Sequence, residues 1–344
     1  MKVYFSKLNN FIKNNYEVIV YIALGIITFC LSINFSKDWI HYNWMYENRI
    51  SNVAWHSFLN TFSVFKEPLF FISSKAFGQL FGFSIFVFLA TVILLTIKLC
   101  YLSKIMQSAF LGTFFYVCFY LLLLEGTAIR VGFAIACIIP ALYFLKEHKF
   151  FYAFLLILIA SQIHLTALLF LIAFPLYFFK PLNVIVYLAF IFSPLLIVFD
   201  ISVLNMLKEL IATINPKYLY YFKEDRLVVQ NSTGLYLYFI AFFTVLLGAV
   251  FVYLRDLVMN DRFLSTIFSI TLCGIILMCV FHDFVAVGAR FGELLLVPIV
   301  ILLGHFYKTF ALNKMLLHQF ALVSMSLSYL AARFIYLYPK SIGL

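Results

Sequence analysis

Between Glu125 and Lys180 the chain passes through three apolar runs, broken only by Arg130, by the basic stretch 146–149 and by Gln162-Ile163-His164. In hydrocarbon every backbone N–H and C=O must find its partner within the protein, which leaves helices or closed barrels. The runs are continuous and rich in Phe, Leu and Ile instead of alternating, and this selects helices. The pattern extends along the chain: 65% of the 344 residues are hydrophobic and 11% charged, against about 25% charged in a soluble domain. The expected fold is an all-α polytopic membrane protein, one multi-pass domain over 1–344 with the lipid bilayer as its surroundings.

Apolar runs fall near 18–34, 84–101, 106–124, 128–145, 150–163, 165–179, 182–199, 233–254, 263–281, 290–306 and 315–335, about eleven transmembrane helices. Lys2, Lys7 and Lys13 precede the first run, and with no A-x-A cleavage site after it that run reads as a retained span. The segment 68–80 is short and polar and reads as a re-entrant or interfacial helix, with Gly78 and Gly82 marking its end. With the N-terminus inside, half of the 24 Lys and Arg fall in short inner loops, Lys98, Lys104, Lys146, Lys149, Lys180, Arg255, Arg262 and Lys308 among them. The two longest polar segments, 35–67 and 200–232, are then outer loops. Within the second, the amphipathic stretch 203–214 and the aromatic run 218–222 suit a lid lying on the membrane surface.

The net charge of +10 does not point to nucleic acid, because the basic residues are dispersed between apolar runs and form no stripe. The six cysteines sit in or at the ends of apolar runs without C-x-x-C spacing and read as small hydrophobes. The sequence carries no phosphate-cradling loop, no H-E-x-x-H, no cluster of metal-ligand spacing, no D-x-D and no G-x-S-x-G. Neither a metal nor a cofactor is expected.

Ionisable groups at membrane depth cost several kcal/mol unless they meet water, a partner or a substrate. By the charge count, Asp38, Tyr42, Glu67, Arg130, His164, Arg290 and Glu293 all lie on the outer side. An arginine grips phosphate oxygens bidentately at any useful pH. A carboxylate or histidine takes a proton from an attacking hydroxyl. Each residue also has a structural reading: Glu67-Pro68 as a helix start, Arg130 as a snorkelling cation or the partner of Glu125, Arg290 and Glu293 as a local i, i+3 pair. Gly132, beside Arg130, leaves room for a ligand to approach the backbone.

The order of Asp38 with Tyr42, Glu67-Pro68, Arg130-x-Gly132-x-Ala134, His164-x-x-Ala167-Leu168 and Arg290 resembles the EpsG-like polymerases, relatives of the Wzy-type bacterial polysaccharide polymerases. The resemblance covers most of the chain. It implies a GT-C-like polymerase architecture in the bacterial cytoplasmic membrane, with the active site facing the exterior or periplasm. It implies glycosyl transfer between undecaprenyl-pyrophosphate-linked glycans, as in O-antigen or exopolysaccharide synthesis, without a metal, and a chain-length regulator as a further partner. By the same resemblance Arg130 and Arg290 would bind pyrophosphate, Tyr42 and Glu293 substrate, and Asp38, Glu67 or His164 would serve as the base. The alternative is a transporter or flippase of lipid-linked sugars. It predicts charged residues along a path from both faces.

Overall fold

The computed structural model describes residues 2–60, 67–206 and 233–337, which are helical with no strand among them. In order the helices are α1 (Lys2–Phe35), α2 (Lys37–Met45), a π-helical segment Tyr46–Ser51, α3 (Trp55–Asn60), α4 (Pro68–Phe81), α5 (Phe83–Met106) and α6 (Ala109–Tyr116), which continues as π-helical turns over Val117–Glu125. They are followed by α7 (Ile129–Lys146), α8 (Phe150–Ile163), a 3-10 segment Leu165–Ile172, α9 (Ala173–Phe178), α10 (Lys180–Phe192), α11 (Pro194–Val198) and α12 (Val203–Met206). The chain closes with α13 (Thr233–Asn260), α14 (Arg262–Val280), α15 (Val285–Leu296), α16 (Ile299–Leu312) and α17 (Leu316–Leu337).

Every expected apolar run falls on a helix. Seven helices are long and apolar enough to cross a membrane, and an eighth is reached if α15 and α16, bent by 44°, form one span. Pro298 lies at that bend and has no N–H to continue the ladder. The stretches Ala109–Glu125, Phe150–Ile163 and Leu165–Phe178 are apolar but shorter. The chain is thus an all-helical, multi-pass membrane protein. The proposed lid lies almost wholly in 207–232, outside the described residues. The segment 35–67, expected as a loop, is mostly helical where described.

The chain divides into two compact units, Met1–Leu168 with Tyr307–Leu344, and Leu169–Phe306. In the first, α5 is central and packs on α1, α4, α6 and α7, while α7 and α8 form a close hairpin. Local chemistry sets the breaks. Ser108 caps α6 by accepting from the Leu111 N–H at 3.3 Å. Gly82 ends α4 at φ 87°, where a Cβ is disfavoured. Gly78, expected as a second terminator, instead lies inside α4 and makes room for the Tyr46 ring, which would touch a Cβ there at 2.6 Å. Tyr46 in turn stacks on Phe83 at 4.7 Å. Lys75 of α4 is fully buried and donates to the carbonyls of Ile50 (2.7 Å) and Val53 (2.6 Å). One face of α4 therefore fixes the whole segment 46–53.

Two sequence expectations need correction in this unit. Lys98 is no loop residue. It sits inside α5 with no exposed surface, paired with Glu125 and donating to the Gly132 carbonyl at 2.9 Å. Tyr116 donates to the same carboxylate at 2.6 Å. An 18-residue apolar stretch tolerates one lysine when its acid arrives from another helix, and a charge count along the chain does not register that. Gly132 likewise serves packing and not a ligand: a Cβ there would lie 2.4 Å from the Leu124 carbonyl oxygen. Lys98→Met should cost about 3–5 kcal/mol, since it strands a buried carboxylate. Lys98→Met combined with Glu125→Gln should recover most of that. The fraction of protein surviving heating in detergent measures both, and equal losses in the single and double variants would remove the ion pair as the cause.

The second unit packs α14 against α10, α13 and α15. Asp261 caps α14 through the Leu264 N–H at 3.0 Å. α14 and α15 cross closely at Gly274 and Gly292, where a Cβ on Gly274 would meet the Gly292 carbonyl oxygen at 2.8 Å.

Candidate active site

Glu67 is the N-cap residue of α4, and Pro68 at the first helical position presets the turn. This start places the carboxylate where two other helix boundaries meet. Arg130, in the first turn of α7, donates from Nη1 to Glu67 Oε2 at 2.6 Å. His164, the residue that ends α8, sets Nδ1 2.5 Å from Glu67 Oε1. The backbone N–H of Leu165 approaches the same oxygen at 3.4 Å. The Arg130 guanidinium lies 5.6 Å from the centre of the Tyr42 ring, in cation–π range. All four side chains belong to the first unit.

Burial and charge are graded across the cluster. The Glu67 side chain is 10% exposed, His164 16% and Arg130 29%, so a ligand reaches the arginine more readily than the carboxylate. Burial pushes the Glu67 carboxyl up. The hydrogen bond from His164 and the charge of Arg130 outweigh that, and the carboxyl lies below its ordinary value. An ionised carboxylate only accepts, so His164 Nδ1 carries the hydrogen. No described residue bonds His164 Nε2. The Nε of Arg130 is also buried without a hydrogen-bond partner among the described residues.

The depressed Glu67 carboxyl fixes the sign of a pH effect. A group that is more acidic when folded stabilises the fold above its unfolded value and loses that contribution as pH falls through the folded one. The melting-temperature gap between wild type and Glu67→Gln should be constant above about pH 5 and shrink at lower pH, below the ordinary value of 4.5. A gap that widens on acidification would contradict the ionised, clamped carboxylate.

Of the expected site residues, Glu67, Arg130, His164 and Tyr42 converge. Arg130 pairs with Glu67, not with Glu125. Asp38 is exposed on α2, four residues before Tyr42, and is not among the groups bonded to Glu67. Arg290 and Glu293 lie on α15 in the second unit. There Arg290 is exposed and makes no ion pair with Glu293 among the described residues.

A second cluster is completed only in the fold, where Asp200 joins His282 and Asp283. In the second unit, His282 donates from Nδ1 to the Cys279 carbonyl at 3.0 Å, and its Nε2 faces Asp283 Oδ1 at 2.9 Å and Asp200 Oδ1 at 3.5 Å. This is a donor set of the kind that can hold a divalent cation. Asp200 is 82 residues from His282, and no local spacing reveals the pair.

The structure thus sets a part-buried carboxylate, clamped by arginine and histidine, at the junction of three helices in a multi-pass membrane protein. The chain belongs to the EpsG family, whose model matches residues 16–342. The motif order from Asp38 to Arg290 resembled that family, and the match extends well beyond those positions. No curated protein and no solved structure matches the chain. The family is one of polysaccharide polymerases, enzymes of glycosyltransferase type, so the chain has a polymerase-type function in polysaccharide biosynthesis.

Proposed function

We propose that the Glu67–Arg130–His164 cluster is the catalytic centre of a polymerase that joins undecaprenyl-pyrophosphate-linked oligosaccharide units at the outer face of the bacterial cytoplasmic membrane. The observation that carries this reading is the meeting of Arg130 and His164 on the Glu67 carboxylate, three residues brought together from helix boundaries far apart in sequence.

The geometry supports the following roles. Each Glu67 oxygen already accepts a hydrogen bond, from Arg130 or from His164, and in this reading Glu67 orients its neighbours while His164 is the base. Glu67 fixes the His164 tautomer with hydrogen on Nδ1, which leaves the Nε2 lone pair for a substrate. His164 Nε2 takes the proton of the acceptor hydroxyl. That oxygen bonds to the anomeric carbon of the donor glycan. The bond from this carbon to the pyrophosphate oxygen breaks, and the electron pair leaves on undecaprenyl pyrophosphate. Glu67 stabilises the imidazolium that forms, and Arg130 offers its remaining donors to the departing phosphate oxygens.

The wider reading is a GT-C-like protein of about eleven crossings. It is supported by the eleven apolar runs, each of which falls on a helix. Positive-inside counting supports the outward-facing site, and a chain-length regulator is the partner such an enzyme would work beside. Reconstitution in proteoliposomes with lipid-linked repeat units should give a ladder of glycan lengths. Absence of elongation from any lipid-linked unit by folded protein would end the polymerase reading. A cysteine replacing the exposed Asn48, in a background without other cysteines, should react with an impermeant maleimide from outside. Labelling only after permeabilisation would reverse the proposed orientation.

A further inference from the structure

Beside the charged cluster, and within the same unit, lies an apolar cleft of about 140 Å³. We propose that this cleft receives the first carbons of the polyprenyl chain of the lipid-linked substrate and so sets the phosphate at Arg130. The inference rests on the polymerase reading above.

Three walls of the cleft continue directly from the site. Phe70 is three residues after Glu67, Phe133 three after Arg130, and Ile163 immediately precedes His164. Residues three apart share a helix face about one turn on, so the charged residues and the cleft walls are successive levels of α4, α7 and α8. The remaining wall is a stripe of α5, Phe86, Ala90 and Leu94, spaced i, i+4, i+8 and about 12 Å long. Ala90 between the two larger residues leaves the gap.

The lining specifies the occupant. Ser73 is the lone hydroxyl-bearing residue there, and its Oγ is turned back to its own helix, donating to the Leu69 carbonyl at 2.6 Å. No polar atom is thereby offered to a sugar or a headgroup, and burying one would leave it unsatisfied. α5 is a candidate membrane span, and its Leu89 and Ile93, beside the stripe, are 45% and 56% exposed, as a lipid-facing surface requires. The cationic groups at the adjoining level, Arg130 and His164, complement a phosphate attached to a hydrocarbon chain. The volume equals about five water molecules' share of the liquid. The cleft therefore takes the few carbons nearest the phosphate and leaves the rest of the chain in the bilayer.

The test uses a polyprenyl phosphate carrying a diazirine on its first isoprene unit, with the full-length protein in proteoliposomes. Labelling should map to peptides containing Phe86, Ala90 and Leu94 or Phe133. Unlabelled polyprenyl phosphate should displace it, and an equal excess of phosphatidylglycerol should not. Ala90→Phe, which fills the gap, should lower labelling about tenfold, whereas Ile93→Phe on the exposed side of the same helix should leave it within twofold. Labelling at other sites, equal displacement by phosphatidylglycerol, or labelling indifferent to Ala90→Phe would each overturn the assignment. If Ala90→Phe does not fold, the peptide map and the competition still decide. Polymerisation of lipid-linked units without labelling of the cleft would overturn the cleft alone. Labelling without polymerisation would overturn the function and keep the prenyl site.

Discussion

Glu67→Gln should leave the protein in the membrane at near-normal abundance and abolish detectable polymerisation, a loss on the order of 10³–10⁴-fold. The amide is nearly isosteric and accepts from Arg130 through its oxygen. Its other end is an NH₂, which can only donate to His164 Nδ1. That hydrogen bond moves the imidazole hydrogen to Nε2 and removes the lone pair that would take the acceptor's proton. A forced wrong tautomer carries a cost of this size where a carboxylate orients a catalytic histidine. Glu67→Asp keeps the charge but is one methylene short of reaching Arg130 at 2.6 Å and His164 at 2.5 Å together, so it should retain only a trace of activity. The measurement is glycan length in a cell lacking its own polymerase, beside a blot of membrane protein. If Glu67 only starts α4, the variants will lower abundance and leave activity per molecule unchanged.

Arg130→Ala should lower polymerisation on the order of 10²–10³-fold, the range seen when one donor to a developing negative charge is removed. Arg130→Lys keeps the charge but loses the planar fork and the flat contact with Tyr42, so it should recover part of the activity and not all of it. A snorkelling arginine predicts something else, full replacement by lysine, because either stem reaches the headgroups. Tyr42→Phe keeps the ring under the guanidinium and should be mild. Tyr42→Ala should cost about 0.5–2 kcal/mol of the same positioning. Full activity of Arg130→Ala at normal abundance would take Arg130 out of the site.

Much of this site was legible in the sequence because membrane depth makes polar residues conspicuous. Arg130 and His164 stand at the edges of apolar runs, and Glu67-Pro68 has the form of a helix start. What could not be read was pairing. Arg130 and Glu67 each had a plausible local role, as snorkelling cation and as helix start. Only the packing of α4 against α8 and the position of the α7 start turn those roles into one cluster. The same limit explains Lys98, whose acid is 27 residues away, and Gly132, whose missing Cβ admits the carbonyl of Leu124. It also explains Asp200 and His282. The choice among Asp38, Glu67 and His164 as base stayed open in the sequence, because it depends on which side chains meet in the fold.

The pairing of Lys98 with Glu125 also has a consequence for how the chain enters the membrane. Synthesis runs from the N-terminus, so α5 leaves the ribosome and meets the translocon with its lysine before the acid has been made. A lysine near the middle of a span opposes insertion by about 2.5–3.5 kcal/mol. Against it α5 sets fourteen Leu, Ile, Phe and Val residues, worth roughly 4–8 kcal/mol in favour at 0.3–0.6 each. The surplus lets α5 partition into lipid with its charge uncompensated. The ion pair then forms inside the bilayer when the helix ending at Glu125 arrives, and it ties that helix to α5.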